Sequence, residues 1–154
     1  MKPAPSAPAL RPVILACVFC GRLNRVDLAR LEDGPRCGEC ARPILLDRPV
    51  KVSAASFDET IRSASVPVLV DFYADWCGPC RILGPVVDEL ASVHAGNLLV
   101  LKVDTERDGE LASRFEVRGI PTVVAFRNGA ESGRHVGVAR RADLEVLLGF
   151  PPNS

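Results

Sequence analysis

Apolar and polar positions along the chain fall into short runs with two different periods. Val66-Pro67-Val68-Leu69-Val70 and Leu98-Leu99-Val100-Leu101-Lys102-Val103 are nearly unbroken apolar runs rich in β-branched residues, the pattern of buried strands. The first predicts a strand over 67–72, and Val50-Lys51-Val52 is a shorter candidate strand before it. Ser56 and Glu59 match a capping box and predict a helix running to about Ser63. Apolar residues recur at helical spacing from Cys77 to His94, with Pro85 inside, where a lost hydrogen bond predicts a kink. Glu106 to Phe115 reads as a short helix weakened by Gly109. Thr122-Val123-Val124-Ala125-Phe126 and residues 131–136 flank Asn128-Gly129, a type I′ hairpin signal, and Arg141 to Leu148 reads as a closing helix. Strand–helix–strand–helix–strand, then a hairpin and a helix, predicts an α/β fold: a mixed central sheet with helices on both faces.

The first third has a different character. Residues 1–12 are proline-rich, lack the apolar core of a secretory signal, and read as a disordered lead-in. Residues 13–48 carry four cysteines and end in a linker, Pro43 to Pro49, whose Ile44-Leu45-Leu46 is apolar enough to pack on a neighbour. Residues 49–150 form the main domain and 151–154 a tail. At 154 residues, 47% hydrophobic and 25% charged, the chain suits one ordinary domain with a small extra module. Nineteen basic and nineteen acidic residues cancel, so charge points to neither nucleic acid nor membrane. No apolar run reaches transmembrane length. The expected location is the cytoplasm, where thiols stay reduced. Six cysteines in three Cys-x-x-Cys pairs there point to metal binding and redox chemistry rather than a disulfide scaffold.

Cys17-Val18-Phe19-Cys20 and Cys37-Gly38-Glu39-Cys40, sixteen residues apart, have the spacing of a four-thiolate zinc site. One structural zinc per chain is the expectation, and a second redox dithiol is the alternative. Gly21 and Gly38 supply backbone freedom near the two turns, and the segment from Leu23 to Leu28 suits a short strand or turn. A module this small buries too little apolar surface to fold alone, so the metal would cross-link it. Arg22, Arg25, Arg36 and Arg42 would offset part of the negative charge of the centre.

In the third pair, Cys77 falls where a strand hands over to a helix. Free N–H groups and the helix dipole favour a thiolate there, and Pro79 pre-sets the first helical turn. His94 and His135 are lone histidines and read as surface residues; Asp88, Glu89 and the acidic run 104–110 read as solvated faces.

Trp76-Cys77-Gly78-Pro79-Cys80, together with Asp71, Lys102, Gly119-Ile120-Pro121-Thr122, Asn128-Gly129 and Gly137, resembles the thioredoxin family from roughly Val50 to Phe150. The four-cysteine region resembles the zinc-binding extension of the second bacterial thioredoxin type. The resemblance implies a thioredoxin fold preceded by a small zinc-ribbon-like module, and protein-disulfide reductase activity. Cys77 is the expected nucleophile, and Cys80, less exposed, resolves the mixed disulfide. Asp71, in an apolar strand, is expected to have a raised pKa and to exchange a proton with Cys80 through water. Lys102 aligns with a buried lysine near that aspartate, the alternative being a solvent-facing strand residue. Ile120-Pro121 resembles a cis-proline loop that offers backbone to an extended substrate and keeps metal off the dithiol. Trp76 and Gly78 are expected to form the docking rim next to Pro79, with Gly137 bordering it. Tyr73 stands where many bacterial thioredoxins carry a second tryptophan, which implies altered tuning. The implied partners are disulfide-containing proteins and an NADPH-dependent thioredoxin reductase, with no organic cofactor, nucleic acid or membrane. The alternatives are a disulfide oxidase or isomerase, against which Gly78-Pro79 speaks, and a zinc-ribbon adaptor or redox-sensing binding module.

Overall fold

The computed structural model describes residues 9–151. The main sheet has five strands: β3 (Val50–Lys51), β4 (Val68–Tyr73), β5 (Leu99–Asp104), β6 (Thr122–Arg127) and β7 (Ala130–Val136), in the order β3-β5-β4-β6-β7. β3 and β4 run parallel to β5, while β6 is antiparallel to both β4 and β7. Helices α1 (Ala54–Ser63), α2 (Gly78–Val93), α3 (Gly109–Arg114) and α4 (Arg141–Leu148) cover the two faces. Alternation along β4 assigns the faces. Val68, Val70 and Phe72 join Phe57 and Ile61 of α1 and Leu111 of α3, whereas Leu69 joins Leu83, Val87 and Leu90 of α2 and Leu144 of α4. This is the layered α/β architecture expected from the sequence.

Some local expectations move. α1 starts at Ala54, with Ser53 at its cap, and Ser56 is buried inside the helix, so Ser56 and Glu59 are not a capping box. The Ala54 N–H is taken instead by the Asp108 carboxylate at 3.1 Å, a partner no local pattern reveals. α3 begins only at Gly109 because Asp104 accepts the Glu106 N–H at 2.9 Å and holds 104–108 in a turn. Asn128 and Gly129 both have left-handed backbone, at φ 54° and 80°, as a type I′ turn requires. His94 is not a surface residue: it is buried, with its ring stacked on Phe150 at 4.3 Å.

Before the main sheet, β1 (Pro12–Ala16) and β2 (Leu23–Asp27) form an antiparallel ribbon, followed by a short 3-10 segment over Leu28–Asp33. Residues 1–8 of the expected lead-in and 152–154 of the expected tail lie outside the described residues. Arg11 and Pro12 are ordered into the fold. The Arg11 N–H binds Asp27 at 2.9 Å, and its guanidinium binds Asn97 at 2.8 Å and the Gly96 carbonyl at 3.1 Å. β1 lies on α1, where Ser63 Oγ accepts the Ile14 N–H at 2.8 Å. Val13, Leu15, Val26, Leu28, Ile44 and Leu46 enter the same apolar cluster as Phe57 and Ile61. The ribbon therefore shares a core with the main domain, and metal is not its sole source of cohesion.

Candidate active site and metal centre

β4 ends at Tyr73, and α2 starts at Gly78 with Cys77 at its N-cap and Pro79 in its first turn. The Cys80 N–H points at Cys77 Sγ from 3.2 Å, one of the free donors that a helix start presents. Cys77 and Cys80 are disulfide-bonded. Cys77 is 3% exposed and Cys80 7%, so exposure does not rank them as expected: in the bridged state both residues are buried. The Ile120–Pro121 peptide bond is cis, and the Ile120 carbonyl oxygen lies 3.8 Å from Cys77 Sγ. Gly137 reaches the same loop through its N–H to the Pro121 carbonyl at 2.8 Å, with φ at 95°. Trp76 is 67% exposed beside the cysteines, and its Nε1–H donates to Glu106 Oε1 at 2.8 Å. Glu106, read from sequence as part of a solvated face, thus holds the exposed ring. Gly78 has nothing within 4 Å of where a Cβ would project.

Asp71 is buried, with Oδ1 lacking any hydrogen-bond partner. Burial raises its carboxyl to about 6, against the opposing pull of the Lys102 charge and with a push from Asp88. Lys102 pairs with Asp71 in the β4–β5 register, is half-buried, and sets its ammonium 4.4 Å from the Tyr73 ring centre. It is therefore neither fully buried nor a free solvent-facing residue. The fold brings Asp71, Tyr73 and Lys102 to one face at the end of two adjacent strands.

The second constellation is built from two matching turns. Gly21 N–H binds the Cys17 carbonyl and Ala41 N–H the Cys37 carbonyl, at 2.9 and 3.0 Å. Cys17 N–H binds Arg22 O and Cys37 N–H binds Arg42 O, at 2.8 and 2.9 Å. Gly21 has φ 81°, and the matching position in the second turn is Ala41 at φ 61°, not Gly38. Gly38 instead donates its N–H to Asn24 Oδ1. Phe19 N–H points at Cys17 Sγ, and Glu39 N–H and Asn24 Nδ2 point at Cys37 Sγ, all within 3.5 Å. The nearest backbone amides, those of Cys20 and Cys40 first, hold the Cys17 and Cys37 thiols below their usual range. All four sulfurs lie within 4.8 Å of one another, with Cys17–Cys40 at 3.7 Å and Cys20–Cys37 at 3.5 Å. A tetrahedral zinc with bonds of about 2.3 Å needs sulfurs about 3.8 Å apart, so the cluster fits that ion.

Comparison with known proteins agrees with both constellations. Residues 48–148 match the family model described as thioredoxin, and residues 16–42 match the model described as thioredoxin 2, N-terminal. Thioredoxin C-3 of Corynebacterium nephridii is 34% identical over 136 residues, 88% of this chain and 93% of that protein. The thioredoxin of Pseudomonas aeruginosa is 38% identical over 64% of this chain and 92% of its own length. Among solved structures, a mutant thioredoxin from Halobacterium salinarum superposes with a TM-score of 0.62 at 38% identity, covering 68% of this chain and 91% of that one.

Proposed function

The chain belongs to the thioredoxin family, and from that premise we propose that it reduces protein disulfides through Cys77 and Cys80. Thiol–disulfide exchange is the chemistry of the family. The observation that carries the reductase reading is Cys77 capping α2, bridged to Cys80, with the buried Asp71 carboxyl in the adjoining strand. In the reduced chain, the Cys77 thiolate attacks one sulfur of a substrate disulfide. That bond breaks, one substrate sulfur leaves as thiolate and takes a proton, and the other stays joined to Cys77. Asp71, ionised at pH 7 with its carboxyl near 6, takes the Cys80 proton through water. The Cys80 thiolate then attacks Cys77 Sγ and releases the second substrate thiol. The substrate gains two electrons, the chain loses two, and Cys77 and Cys80 end bridged. An NADPH-dependent thioredoxin reductase would return those electrons. Trp76, Ile120, Pro121 and Gly137 form the rim that receives the substrate, and Lys102 moderates the Asp71 charge.

Cys17, Cys20, Cys37 and Cys40 would hold one zinc ion, which cross-links the ribbon and takes no part in the exchange. Among the described residues no helix is long and apolar enough to cross a membrane. The proposed setting is the cytoplasm. The deciding experiment couples the protein to NADPH and thioredoxin reductase with a disulfide protein such as insulin. Wild type should consume NADPH, Cys77→Ser should consume none, and Cys80→Ser should trap a mixed disulfide. A reduction potential well above the cytosolic glutathione poise would instead indicate an oxidase.

A further inference from the structure

Two cavities lie between the ribbon and the β3–β5 side of the main sheet, away from the Pro121 loop. The first, about 440 Å³, opens beyond the carboxyl ends of β3, β5 and β4. Lys51, Tyr73, Asp75 and Lys102 line it from the main domain, and Cys17 and Val18 line it from the ribbon. Crevices at strand carboxyl ends are where open α/β sheets take ligands. Asp75 immediately precedes Trp76, and Arg107 follows the Glu106 that holds the Trp76 ring, so this cleft lies beside the Trp76 rim. The second cavity, about 340 Å³, shares Ala16, Cys17, Val18 and Lys51 with the first. The rest of its lining is mostly apolar, with Phe19, Pro43, Ile44, Leu45 and Pro49. Val18 and Phe19, at the tip of the first cysteine turn, are 59% and 56% exposed. Ala16, Cys17, Val18 and Lys51 join the two cavities, so a continuous trough runs from Asp75, just past the end of β4, to an apolar end walled by the ribbon.

The charges along it are not equivalent. Asp104 and Asp108 spend a carboxylate oxygen on backbone N–H groups, and Lys102 lies over the Tyr73 ring. Among the described residues, Lys51, Arg107 and the Asp75 carboxylate make neither an ion pair nor a side-chain hydrogen bond, which leaves two unpaired cations against one unpaired carboxylate in the cleft.

We propose that this trough is a second docking surface for the disulfide-bearing protein, taking an extended segment that places an acidic side chain by Lys51 and Arg107 and a large apolar one by Val18 and Phe19. The proposal rests on the reductase reading and deepens it. The Pro121 loop grips the substrate on one flank of Cys77, and the ribbon on the other. The ribbon thereby selects substrates, and Phe19 and Lys51 are specificity-determining residues.

The test uses a small two-cysteine peptide disulfide carrying tails of about eight residues at both ends, long enough to span roughly 26 Å each. One version has tails of Phe, Leu and Glu, the other of Gly and Ser. With the full chain, NADPH and thioredoxin reductase, the apolar-acidic peptide should show a kcat/KM about 10-fold higher, mostly through KM. Phe19→Ser and Lys51→Glu should each reduce that advantage below about 3-fold while leaving the Gly-Ser peptide rate unchanged. Phe19 is exposed and Lys51 lies outside the cysteine turns, and metal content checks that each variant is intact. Equal rates for the two peptides on wild type would overturn the proposal, as would an advantage that survives both substitutions. Failure to reduce even the Gly-Ser peptide would instead overturn the reductase reading beneath it.

Discussion

His94 Nε2 lies 2.6 Å from Glu145 Oε2, and both side chains are buried where the end of α2 meets α4. Phe150 stacks on the imidazole, and Arg141 Nε stands 3.6 Å from the other Glu145 oxygen. Such a pair adds little net stability by itself, yet removing the imidazole leaves the buried Glu145 Oε2 without its hydrogen-bond partner. His94→Ala should cost about 3 kcal/mol in urea unfolding, while His94→Leu combined with Glu145→Met should recover most of that loss. Disulfide reduction should not change, because α2 places His94 about 25 Å from Cys77. A loss under about 1 kcal/mol for His94→Ala would mean that the pair does not latch α4.

Asp71 has the opposite character, a buried carboxyl that the fold tolerates for its chemistry. Its folded pKa of about 6 lies above the usual 3.8, so the native state holds this proton more tightly than the unfolded chain. Ionisation then costs stability progressively as pH rises from 3.8 to about 6, and the whole cost is present above that. Asp71→Asn should therefore stabilise the protein at pH 8 by up to about 3 kcal/mol and change little near pH 4. The same variant should slow resolution of the mixed disulfide at neutral pH. Equal stabilisation at both pH values would contradict a carboxyl that titrates near 6.

Ala41 adopts left-handed backbone where the matching turn has Gly21. A β-carbon costs on the order of 1 kcal/mol there, and glycine returns part of that through its greater freedom when unfolded. Ala41→Gly should leave stability unchanged or raise it by up to about 1 kcal/mol, and should slow metal loss to a chelator. Gly21→Ala should do the reverse, by about 1 kcal/mol. Destabilisation by Ala41→Gly, or no loss from Gly21→Ala, would show that the two turns are not equivalent.

Chelation should loosen the ribbon locally. The amides of Cys17, Gly21, Cys37 and Ala41 belong to the two cysteine turns and should lose hydrogen-exchange protection. The amide of Ile14, bonded to Ser63, should keep its protection because Val13 and Leu15 stay in the shared core. Loss at Ile14 would mean that the metal holds the whole ribbon.

The architecture was legible because β4 and β5 are too apolar to be anything but buried strands, and because the pentapeptide marks where a strand becomes a helix. The clustering of Cys17, Cys20, Cys37 and Cys40 was legible from spacing alone. What escaped was set by contacts distant in sequence. The true start of α1 depends on Asp108, which lies 54 residues from Ala54. Burial of His94 depends on Glu145 and Phe150. Glu106 looks like any loop acid until the fold brings it to Trp76. Residues 13–16 gave no strand signal of their own within the cysteine module, and Pro12, read as the end of the lead-in, itself begins β1.

The shared apolar cluster bears on protein engineering. Six ribbon side chains, from Val13 to Leu46, are buried against α1 and its neighbours, a gross contribution on the order of 10 kcal/mol before ordering costs. Cutting at residue 49 would bare that face of α1 and invite aggregation. Grafting residues 13–48 onto another scaffold would succeed only where the host helix carries counterparts of Phe57, Ile61 and Ser63. The transplantable unit is the ribbon together with the helix face it covers, and a chimera designed at the apparent linker would divide a single core.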